Sequence, residues 1–343
     1  MATSKLNYKC FNDFNTFTFL LFQFLNIFDL KAVLLAAGFG TRLNPLSQLI
    51  PKSMIKILDK PILEHIIHKL SKYGVNDFLI ITGHLGQQIQ NYFGTGEQFN
   101  VKISYIDQLD LKGTGHATQL SKNFVDDDSF LLYLADTLIP NLDSFFSSLR
   151  HKEFEVELIS SVVSSQQSSA SGIITIKNDL VVELNEKPIE SNSSLSWAGI
   201  AFFKSKKIFE ILNQTPMSSR KELEITDAMN LMIKNDYLIK NHTVSKYFDS
   251  GTPNGLLNIM NYLLSISTIR KNSSLPFVSP IFYSSVPIVG KNSKIGPNVS
   301  IGKNVLIGDN VEISNSLIID NSIIESGKKI KNSIIFGQSN FLY

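Results

Sequence analysis

The sequence predicts a Rossmann-like α/β fold followed by a short parallel β-helix, and two observations predict it. From residue 31 to about residue 264, short β-compatible apolar runs alternate with segments whose apolar residues have helical spacing. Strands separated by helices are typical of βαβ units on a parallel sheet. From residue 289, aliphatic residues recur every six positions, which is the hexapeptide pattern of a parallel β-helix.

The composition is that of a soluble globular protein with one large and one small domain. Of the 343 residues, 43% are hydrophobic and 18% are charged. A net charge of +2, with no basic block, argues against nucleic acid as a partner. The only cysteine, Cys10, excludes a disulfide framework and a cysteine-based metal site, which favours a reducing compartment, the cytoplasm.

Residues 1–30 stand apart as an N-terminal extension of unknown role. The segment 11–30 holds seven phenylalanines among scattered polar residues. Its longest uncharged stretch, residues 14–28, is shorter than the ~20 apolar residues that a membrane-spanning helix needs, and no basic cluster flanks it. We therefore expect no membrane anchor, and we expect a chain that begins at Lys31 to fold.

The first region is predicted to begin with four strands, at residues 32–36, 77–82, 101–106 and 130–134. Helices are predicted between them at residues 62–73, 86–93 and 114–124. Ligands bind at the carboxyl ends of the strands in such sheets, which places residues 38–42, Gly83 and Asp136 on one rim.

The middle of the chain, residues 155–204, is richer in β-branched and aromatic residues, which predicts added strands. Within it, residues 164–171 are predicted to form a polar loop. Two further helices are predicted at residues 222–233 and 254–264.

The six-residue repeat occupies the C-terminal part of the chain. Its first set is Val289, Ile295, Ile301, Ile307, Ile313 and Ile319, and its second set is Ser293, Val299, Val305, Val311, Leu317 and Ile323. Small residues such as Gly296, Gly302 and Gly308 are expected to close the corners. Three hexapeptides make one triangular coil, so about three coils are predicted, with a cap after Ile324. The apolar edges of such coils need covering, which predicts a homo-oligomer.

The most informative segment is the apolar run 32–36 with the loop Gly38-Phe39-Gly40-Thr41-Arg42 behind it. Paired glycines let the backbone turn sharply and leave its N–H groups free, which suits a polyphosphate. Arg42 and Lys52 can neutralise the charge of that polyphosphate. Leu43 stands where a NAD-type fingerprint needs a third glycine, and the P-loop spacing is absent too.

The whole string, Ala-Ala-Gly-x-Gly-Thr-Arg with Pro51-Lys52 beyond it, resembles the signature of the sugar-1-phosphate nucleotidylyltransferases. The resemblance covers residue 31 to about residue 262, and it is closest to glucose-1-phosphate thymidylyl- and uridylyltransferases that carry a short left-handed β-helix. It implies a glycosyltransferase-A-like domain that makes an NDP-sugar and pyrophosphate from an NTP and a sugar-1-phosphate. It also implies catalytic roles for Arg42 and Lys52. The nucleotide contacts that it implies in the loop are Ala36, Ala37, Gly38, Gly40 and Thr41.

The resemblance implies Mg²⁺ as the cofactor, held by carboxylates and phosphate oxygens. Asp136 follows the strand 130–134, and Asp249 lies in Tyr247-Phe248-Asp249-Ser250-Gly251-Thr252, at positions where the family has its metal ligands. An isolated strand-end aspartate is otherwise a helix cap or turn former. Ala135 replaces a family glycine, and its methyl group is expected to crowd the metal.

Gln108, with Gly113 and Thr114, is similar to the base-reading segment of the uridylyltransferase branch. This similarity implies UTP or dTTP as the nucleotide, with glycine permitting close approach of the base. A loop that opens a helix is the alternative interpretation of Gly113 and Thr114. His116 is expected to be structural.

Glu186-Lys187-Pro188 resembles the family's Glu-Lys-Pro. The resemblance implies that Lys187 binds the phosphate of the sugar-1-phosphate, that Glu186 binds sugar hydroxyls, and that Gly172 and Gly199 present backbone to the sugar. A surface turn is the alternative. Trp197 lies where enzymes specific for N-acetylglucosamine-1-phosphate usually have an asparagine, which favours glucose-1-phosphate.

The expected organisation is an extension at residues 1–30, a nucleotidyltransferase domain at 31–270 and a hexapeptide β-helix at 285–343. One rival function is a bifunctional enzyme with acyltransferase activity, because hexapeptide β-helices often bind acyl-CoA. Such enzymes generally rely on a histidine base, whereas the last histidine here is His242. The other rival is a non-catalytic regulatory homologue, which loss of Lys52, Asp136 or Asp249 would mark.

Overall fold

The structure, a computed structural model, describes residues 30–149, 153–162, 172–188, 194–267, 276–338 and 340–342. The expected extension, apart from Leu30, and the expected polar loop at 164–171 lie outside these ranges. No helix within them is both long enough and apolar enough to cross a lipid bilayer.

The first region is an alternation of strands and helices. Its strands are β1 (Leu30–Leu35), β2 (Lys56–Ile57), β3 (Lys60–Pro61), β4 (Val75–Thr82), β5 (Lys102–Asp107), β6 (Phe130–Leu134), β7 (Thr137–Leu138), β8 (Val156–Val162), β9 (Gly172–Lys177), β10 (Leu180–Glu186), β11 (Leu195–Phe203), β12 (Ile239–Val244) and β13 (Phe248–Asp249). Its α-helices are α1 (Ile62–Ser71), α2 (Gly86–Phe93), α3 (Thr114–Leu120), α4 (Lys122–Val125), α5 (Asp143–Ser148), α6 (Lys207–Leu212), α7 (Ile225–Lys234) and α8 (Pro253–Ile266). Short 3₁₀ turns lie at Thr41–Leu43, Leu46–Gln48, Lys52–Met54 and Glu97–Phe99.

Nine of these strands form one sheet in the order β5-β4-β1-β6-β11-β8-β12-β10-β9. β1 pairs in parallel with β4 and β6, and β4 pairs in parallel with β5. This parallel half contains the four predicted strands, with ends that differ from the prediction by at most two residues. The strands that the middle of the chain was expected to add are β8 to β11, joined through the antiparallel pair β11–β6.

The sheet is buried on both faces, as alternation along β1 shows. Ala32 and Leu34 belong to one core, which contains the apolar residues of α1 and α8. Val33 and Leu35 belong to the other core, which contains those of α6 and α7. Because both faces carry apolar side chains, the strands are nearly continuous apolar runs, which is typical of parallel sheets between helices.

Two predicted helices differ from the structure by more than two residues at one end. The helix predicted at 114–124 is divided at Ser121, whose backbone N–H and hydroxyl both donate to the Thr118 carbonyl. The helix predicted at 222–233 begins only at Ile225. The preceding residues are extended because Leu223 exchanges backbone hydrogen bonds with Lys112 and Gly115, each 2.7 Å long.

The C-terminal region is rich in parallel strands. They are β14 (Ile281–Tyr283), β15 (Ile288–Val289), β16 (Lys294–Ile295), β17 (Val299–Ile301), β18 (Leu306–Ile307), β19 (Glu312–Ser314), β20 (Ser316–Ile318), β21 (Ile323–Ile324), β22 (Lys329–Lys331), β23 (Ile334–Phe336) and β24 (Asn340–Leu342). They form the sheets β14-β17-β20-β23-β24, β15-β18-β21 and β16-β19-β22, in which only β24 is antiparallel. Three separate sheets, each made of parallel strands apart from β24, are consistent with the predicted β-helix.

The repeat loses its six-residue period within the second level of these sheets. Paired residues are first 18 apart, as in Ile295↔Ile313, and later 17 apart, as in Ile301↔Ile318. The cause is a shorter corner, since four steps join Ile295 to Val299 but three join Ile313 to Ser316. The last three members of the predicted pattern, Leu317, Ile319 and Ile323, therefore do not occupy interior positions. Ser316, Ile318 and Ser322 replace them.

Asparagines shape the corners of this region. Seven of them have φ between 44° and 60°, namely Asn292, Asn298, Asn304, Asn310, Asn315, Asn321 and Asn332. Asparagine tolerates this left-handed conformation better than most residues. Its side chains also bond between levels, as from Asn315 Nδ2 to Asn332 Oδ1 at 2.7 Å. Gly302 and Gly308 lie at corners as predicted. Glycine is needed at both positions, because a Cβ there would lie 2.6 Å from the backbone of the next level.

The C-terminal region shares a core with the first region. Leu317, Ile319, Ile334 and Phe336 lie in the same apolar cluster as Ile259 and Leu263 of α8. Asn261 Nδ2 also donates to Asn315 Oδ1 at 2.9 Å. The displaced repeat residue Ile319 therefore contributes to the interface between the regions instead of the interior of the second one.

We expect Ile319→Ala to lower the free energy of unfolding by about 2–4 kcal/mol, because the removed atoms are packed between the two regions. Ile323→Ala is the matched control, since Ile323 is 41% exposed and Ile319 only 7%. We expect the control to lose less than about 1 kcal/mol. Urea unfolding of both variants measures this difference, and equal losses would contradict the assigned interface.

Candidate active site

Four strand ends bring most of the predicted site residues to one rim of the sheet. The backbone of Ala36 bonds that of Ile81 at 2.9 Å, and that of Ala135 bonds Leu35 at 3.1 Å. The Gln108 N–H donates to the Thr82 carbonyl at 2.7 Å. The residues that follow β1, β4, β5 and β6 are therefore neighbours, as expected for the carboxyl ends of parallel strands.

The glycine-rich loop turns beneath Lys52. Gly40 has φ of +66° and leads directly into the turn Thr41–Leu43. A Cβ at Gly38 would lie 3.6 Å from Lys52 Nζ, and one at Gly40 would lie 3.3 Å from Lys52 Cβ. The lysine thus lies along the loop, and side chains there would narrow the space that the predicted polyphosphate needs.

The two predicted metal ligands meet on this rim through a small pairing of strands. β13 pairs with β7 so that Asp249 lies opposite Thr137, and the Ser250 N–H donates to the Asp136 carbonyl at 2.8 Å. Each carboxylate has a cationic partner. Lys52 Nζ is paired with Asp136, and Arg42 Nη2 lies 3.5 Å from Asp249 Oδ2.

The electrostatics of this group follow from its crowding. Burial disfavours the charged form of Asp136, yet the charge and hydrogen bond of Lys52, together with a backbone hydrogen bond and the charge of Arg42, outweigh burial and hold the pKa of this carboxyl below its ordinary value. Burial, and then the negative charge of Asp136, raise the pKa of Asp249. Asp249 is therefore a carboxylate whose charge lacks full compensation from the protein alone.

The donor set fits a hard divalent cation. Two carboxylates with room for substrate oxygens are the usual protein contribution to a Mg²⁺ site. Within the described ranges, no group of three or more His, Cys, Asp or Glu side chains is arranged to hold a metal ion. The remaining ligands of a metal here would therefore be phosphate oxygens or water. Ala135 is 1% exposed and belongs to the main core, and the expected crowding of the metal by its methyl group stays a prediction.

The predicted base-reading residues are held by contacts within the protein. Gln108 is 5% exposed, and its Nε2 lies 3.1 Å from the Gly113 carbonyl oxygen and 3.0 Å from His116 Nδ1. His116, which was expected to be structural, thus orients the Gln108 amide. Gly113 has φ of +98°, and a Cβ there would lie 2.5 Å from the Leu223 carbonyl oxygen. Glycine is therefore required at position 113 by the protein backbone itself.

The first residues of α7 connect this loop to the predicted sugar site. Thr114 Oγ1 accepts a hydrogen bond from the Ile225 N–H at 3.2 Å and donates one to Glu224 Oε2 at 3.3 Å. The next residue, Thr226, donates to Glu186 Oε2 at 3.3 Å. The hydroxyl of Thr114 is thus engaged in fixing the loop.

Three of the predicted sugar-phosphate residues, Gly172, Glu186 and Lys187, lie together, and the fourth, Gly199, lies apart from them. Gly172 lies opposite Glu186 in the pair β9–β10, and a Cβ on this glycine would lie 3.0 Å from Glu186 Oε2. Burial, and then the charge of Glu224, raise the pKa of Glu186. Lys187 follows with its Nζ 3.7 Å from Glu186 Oε1 and is 45% exposed. Gly199 lies farther along β11, at a break in its pairing with β8 and against Leu134.

Three site features were missed from the sequence. The first is the contact between His116 and Gln108, which gave no local signal in the sequence because the fold brings the two residues together. Arg220 neutralises Glu224 through a 2.6 Å contact between Nη2 and Oε1, and the spacing of four residues was the available signal. The Phe39 and His84 rings lie 5.3 Å apart between centroids, from loops that follow β1 and β4.

Comparison with known families agrees with this arrangement. The nucleotidyl transferase family model matches residues 31–266, and the GMPPB C-terminal domain model matches residues 277–341. The first match covers more than half of the chain, so the chain belongs to the nucleotidyl transferase family. The resemblance found in the sequence is confirmed, and the chain is an enzyme of this family.

Two curated relatives show how far the similarity extends. The chain is 31% identical over 260 residues to the low-salt glycan biosynthesis nucleotidyltransferase Agl11 of Haloferax volcanii, covering 72% of this chain and 69% of that protein. It is 34% identical over 237 residues to the bifunctional protein GlmU of Methanocaldococcus jannaschii, covering 68% of this chain and 54% of that protein. The match thus spans about half the length of GlmU.

Two solved structures share the fold. One, assigned as a glucose-1-phosphate thymidylyltransferase from Bacillus anthracis, has a TM-score of 0.63 at 27% identity, covering 71% of this chain and 98% of that one. The other, a UDP-glucose pyrophosphorylase with UDP-glucose, has a TM-score of 0.61 at 25% identity, covering 69% and 99%.

We expect Asp249→Asn to leave the metal-free protein as stable as the wild type at neutral pH, or more stable, because the charge of Asp249 is disfavoured in the fold. The unfolded carboxyl titrates near 3.8, and the folded pKa is higher. Wild-type stability should therefore fall relative to the variant as pH rises above this value, until the folded carboxyl is ionised. Thermal unfolding from pH 3.5 to 8 measures this trend.

Glu97→Gln is the control, because Glu97 is exposed and precedes β5, at the end of that strand opposite Gln108. A strong loss of stability in Asp249→Asn at pH 7 without metal would contradict the electrostatic account.

Proposed function

We propose that the chain transfers a nucleotidyl group from a pyrimidine NTP, UTP or dTTP, to glucose-1-phosphate, giving an NDP-sugar and pyrophosphate. The observation that carries this proposal is the convergence of Asp136, Asp249, Lys52 and Arg42 beside the glycine-rich loop. Carboxylates for a divalent ion, cations for phosphates and bare loop N–H groups together suit a metal-bound triphosphate.

The proposed mechanism requires positioning and charge neutralisation from the protein, because phosphoryl transfers need little covalent chemistry from side chains. Asp136 and Asp249 would hold Mg²⁺, which supplies positive charge to the phosphates when bound. Lys52, whose partner here is Asp136, would then turn to the triphosphate oxygens, and Arg42 would neutralise the pyrophosphate. Lys187 would bind the phosphate of the sugar-1-phosphate for in-line attack on the α-phosphate.

The orientation of Gln108 supports a pyrimidine. Its Nε2 is occupied by the Gly113 carbonyl and His116, which leaves Oε1 as the group for the base. The N3–H of uracil or thymine can donate to such an oxygen, whereas the corresponding edge of adenine presents an acceptor. A base that leaves buried polar groups unpaired is discriminated by several kcal/mol, roughly 10³-fold in kcat/KM.

The preference for glucose-1-phosphate rests on Trp197. This residue is 7% exposed, and its Nε1 donates to the Ile200 carbonyl at 2.7 Å, within its own strand. No amide is thus presented at the position where an N-acetyl group would be recognised. Glu186 and the backbone of Gly172 would bind sugar hydroxyls.

We further propose that residues 31–270 form the catalytic domain and that residues 285–343 form a left-handed β-helix of about three coils that supports a homo-oligomer. The single cysteine favours the cytoplasm. The GlmU similarity favours one alternative, a bifunctional nucleotidylyl- and acetyltransferase. The C-terminal region offers no histidine to act as its base, since His242 is the last one in the chain.

The specificity can be tested by incubating the protein with Mg²⁺ and a matrix of five NTPs and several sugar-1-phosphates, with pyrophosphate release as the readout. We expect UTP and dTTP with glucose-1-phosphate to be fastest. ATP and CTP should be roughly 10³-fold slower in kcat/KM because they present an acceptor to Gln108 Oε1, and GTP should be as slow because the close backbone of Gly113 leaves no room for the second ring of a purine. Equal turnover with ATP or GTP would overturn the pyrimidine assignment. A strong preference for N-acetylglucosamine-1-phosphate, or transfer of acetyl from acetyl-CoA, would overturn the sugar assignment or the single activity.

The metal assignment can be tested separately with Asp136→Asn. We expect turnover at saturating Mg²⁺ to fall at least about 100-fold while the melting temperature stays within a few degrees, because the amide cannot replace a charged ligand. Glu312→Gln is the control, because Glu312 is a solvent-facing carboxylate of the C-terminal region. A variant that keeps more than about a tenth of the rate would contradict the role of Asp136.

A further inference from the structure

The hairpin β2–β3 is the place where the segment of Lys52 meets the C-terminal region. Lys56 Nζ lies 2.8 Å from Asp320 Oδ2, and both side chains are less than one third exposed. The Leu58 N–H donates to Ser300 Oγ at 3.3 Å, and Ser300 is 3% exposed. Lys303 Nζ lies 3.6 Å from Asp59 Oδ1. Three contacts, two with one level of the C-terminal region and one with the next, thus join the hairpin to that region.

The backbone conformation of the turn in this hairpin is not one that its own residues favour. Leu58 and Asp59 have φ of 52° and 68°, and neither is glycine. Left-handed backbone costs roughly 1 kcal/mol or more for a residue such as leucine, so the surrounding contacts must maintain it. The contacts to Ser300 and Lys303 come from outside the first region and are the ones that bear directly on the turn.

The hairpin is coupled to Lys52 through a short and rigid connection. The turn Lys52–Met54 is followed by Ile55 and Ile57, which have no exposed surface in the main core. Lys56 lies between these two isoleucines, four residues after Lys52. A shift of Lys56 therefore cannot be absorbed by a flexible linker and has to be transmitted towards the Lys52 ammonium.

The segment of Asp249 reaches the same contact area by another route. Gly255 in the first turn of α8 packs against the Asp249 carbonyl, and Thr252 caps that helix with a 3.0 Å bond to the Gly255 N–H. α8 also contacts β2 and β20. The C-terminal region is thereby in contact with the hairpin that follows the turn of Lys52 and with α8, which packs against Asp249.

We propose that Asp320 is a positioning residue for Lys52, so that turnover depends on a carboxylate of the C-terminal region that touches no substrate. The two carboxylate oxygens of Asp320 have different partners. Oδ1 accepts the Lys303 N–H at 2.8 Å and fixes the carboxylate, while Oδ2 holds Lys56. This inference rests on the proposed function, in which Lys52 binds the triphosphate.

The test compares Lys56→Met, Asp320→Asn, the double variant and Lys56→Arg in the full chain. Asparagine at position 320 keeps an oxygen for the Lys303 N–H and removes only the charge that holds Lys56. We expect each single variant to lower kcat about tenfold, with KM for glucose-1-phosphate changed less than about twofold, because misplacing a catalytic group by a fraction of an ångström weakens transition-state contacts. The double variant should be no slower than either single variant. The conservative variant Lys56→Arg should keep most of the wild-type kcat.

The matched control is the ion pair of Lys329 with Glu312, which spans 3.4 Å on exposed side chains within the C-terminal region. Glu312→Gln and Lys329→Met should leave kcat unchanged. Unaltered kcat in Lys56→Met and Asp320→Asn, while Lys52→Ala is inactive, would overturn the inference and leave the proposed function standing. A loss of kcat that only follows a lower melting temperature and is not restored by Lys56→Arg would also overturn it. Full activity of Lys52→Ala would overturn the proposed role of Lys52, and the inference with it.

Discussion

The rest of the site depends on the close approach of two carboxylates, Asp136 and Asp249, that the chain brings from distant segments. Pairing of β13 with β7 and the packing of α8 behind Asp249 impose this approach. Burial and, after it, the like charge of Asp136 raise the pKa of Asp249, and Lys52 and Arg42 lie beside the pair and offset part of its negative charge. A divalent cation would therefore stabilise this site more than it would stabilise a neutral surface.

The backbone around α7 ties together the two proposed subsites, one for the base and one for the sugar phosphate. Thr114 and Gly115 of the proposed base-reading loop bond to residues at or just before the start of that helix, and Thr226 in its first turn bonds Glu186 of the proposed sugar-phosphate group. One short segment thus fixes both groups of residues relative to each other. Such preorganisation suits a two-substrate transfer, because the reacting phosphates have to be aligned at the same time.

Sequence reasoning recovered what depends on local pattern. The strand at Phe130–Leu134 and the helix at Gly86–Phe93 have the predicted bounds, because apolar spacing and turn residues determine them. The start of α7 was placed too early, because Leu223 bonds to residues more than 100 positions away. Leu317, Ile319 and Ile323 were misplaced because a corner is one residue shorter, and a fixed period cannot show this. The pairs Gln108–His116 and Lys56–Asp320 arise only from the tertiary fold.

The central claim is that Asp136 and Asp249 hold one divalent ion jointly with the triphosphate. It is tested most directly by Mn²⁺ binding, followed by electron paramagnetic resonance, to the wild type, Asp136→Asn, Asp249→Asn and the double variant with a non-hydrolysable UTP analogue. We predict that each single variant loses nearly as much affinity for Mn²⁺ as the double variant, because one ion shared by two ligands makes their effects non-additive. Unchanged affinity in either single variant, or losses that simply add, would contradict the account.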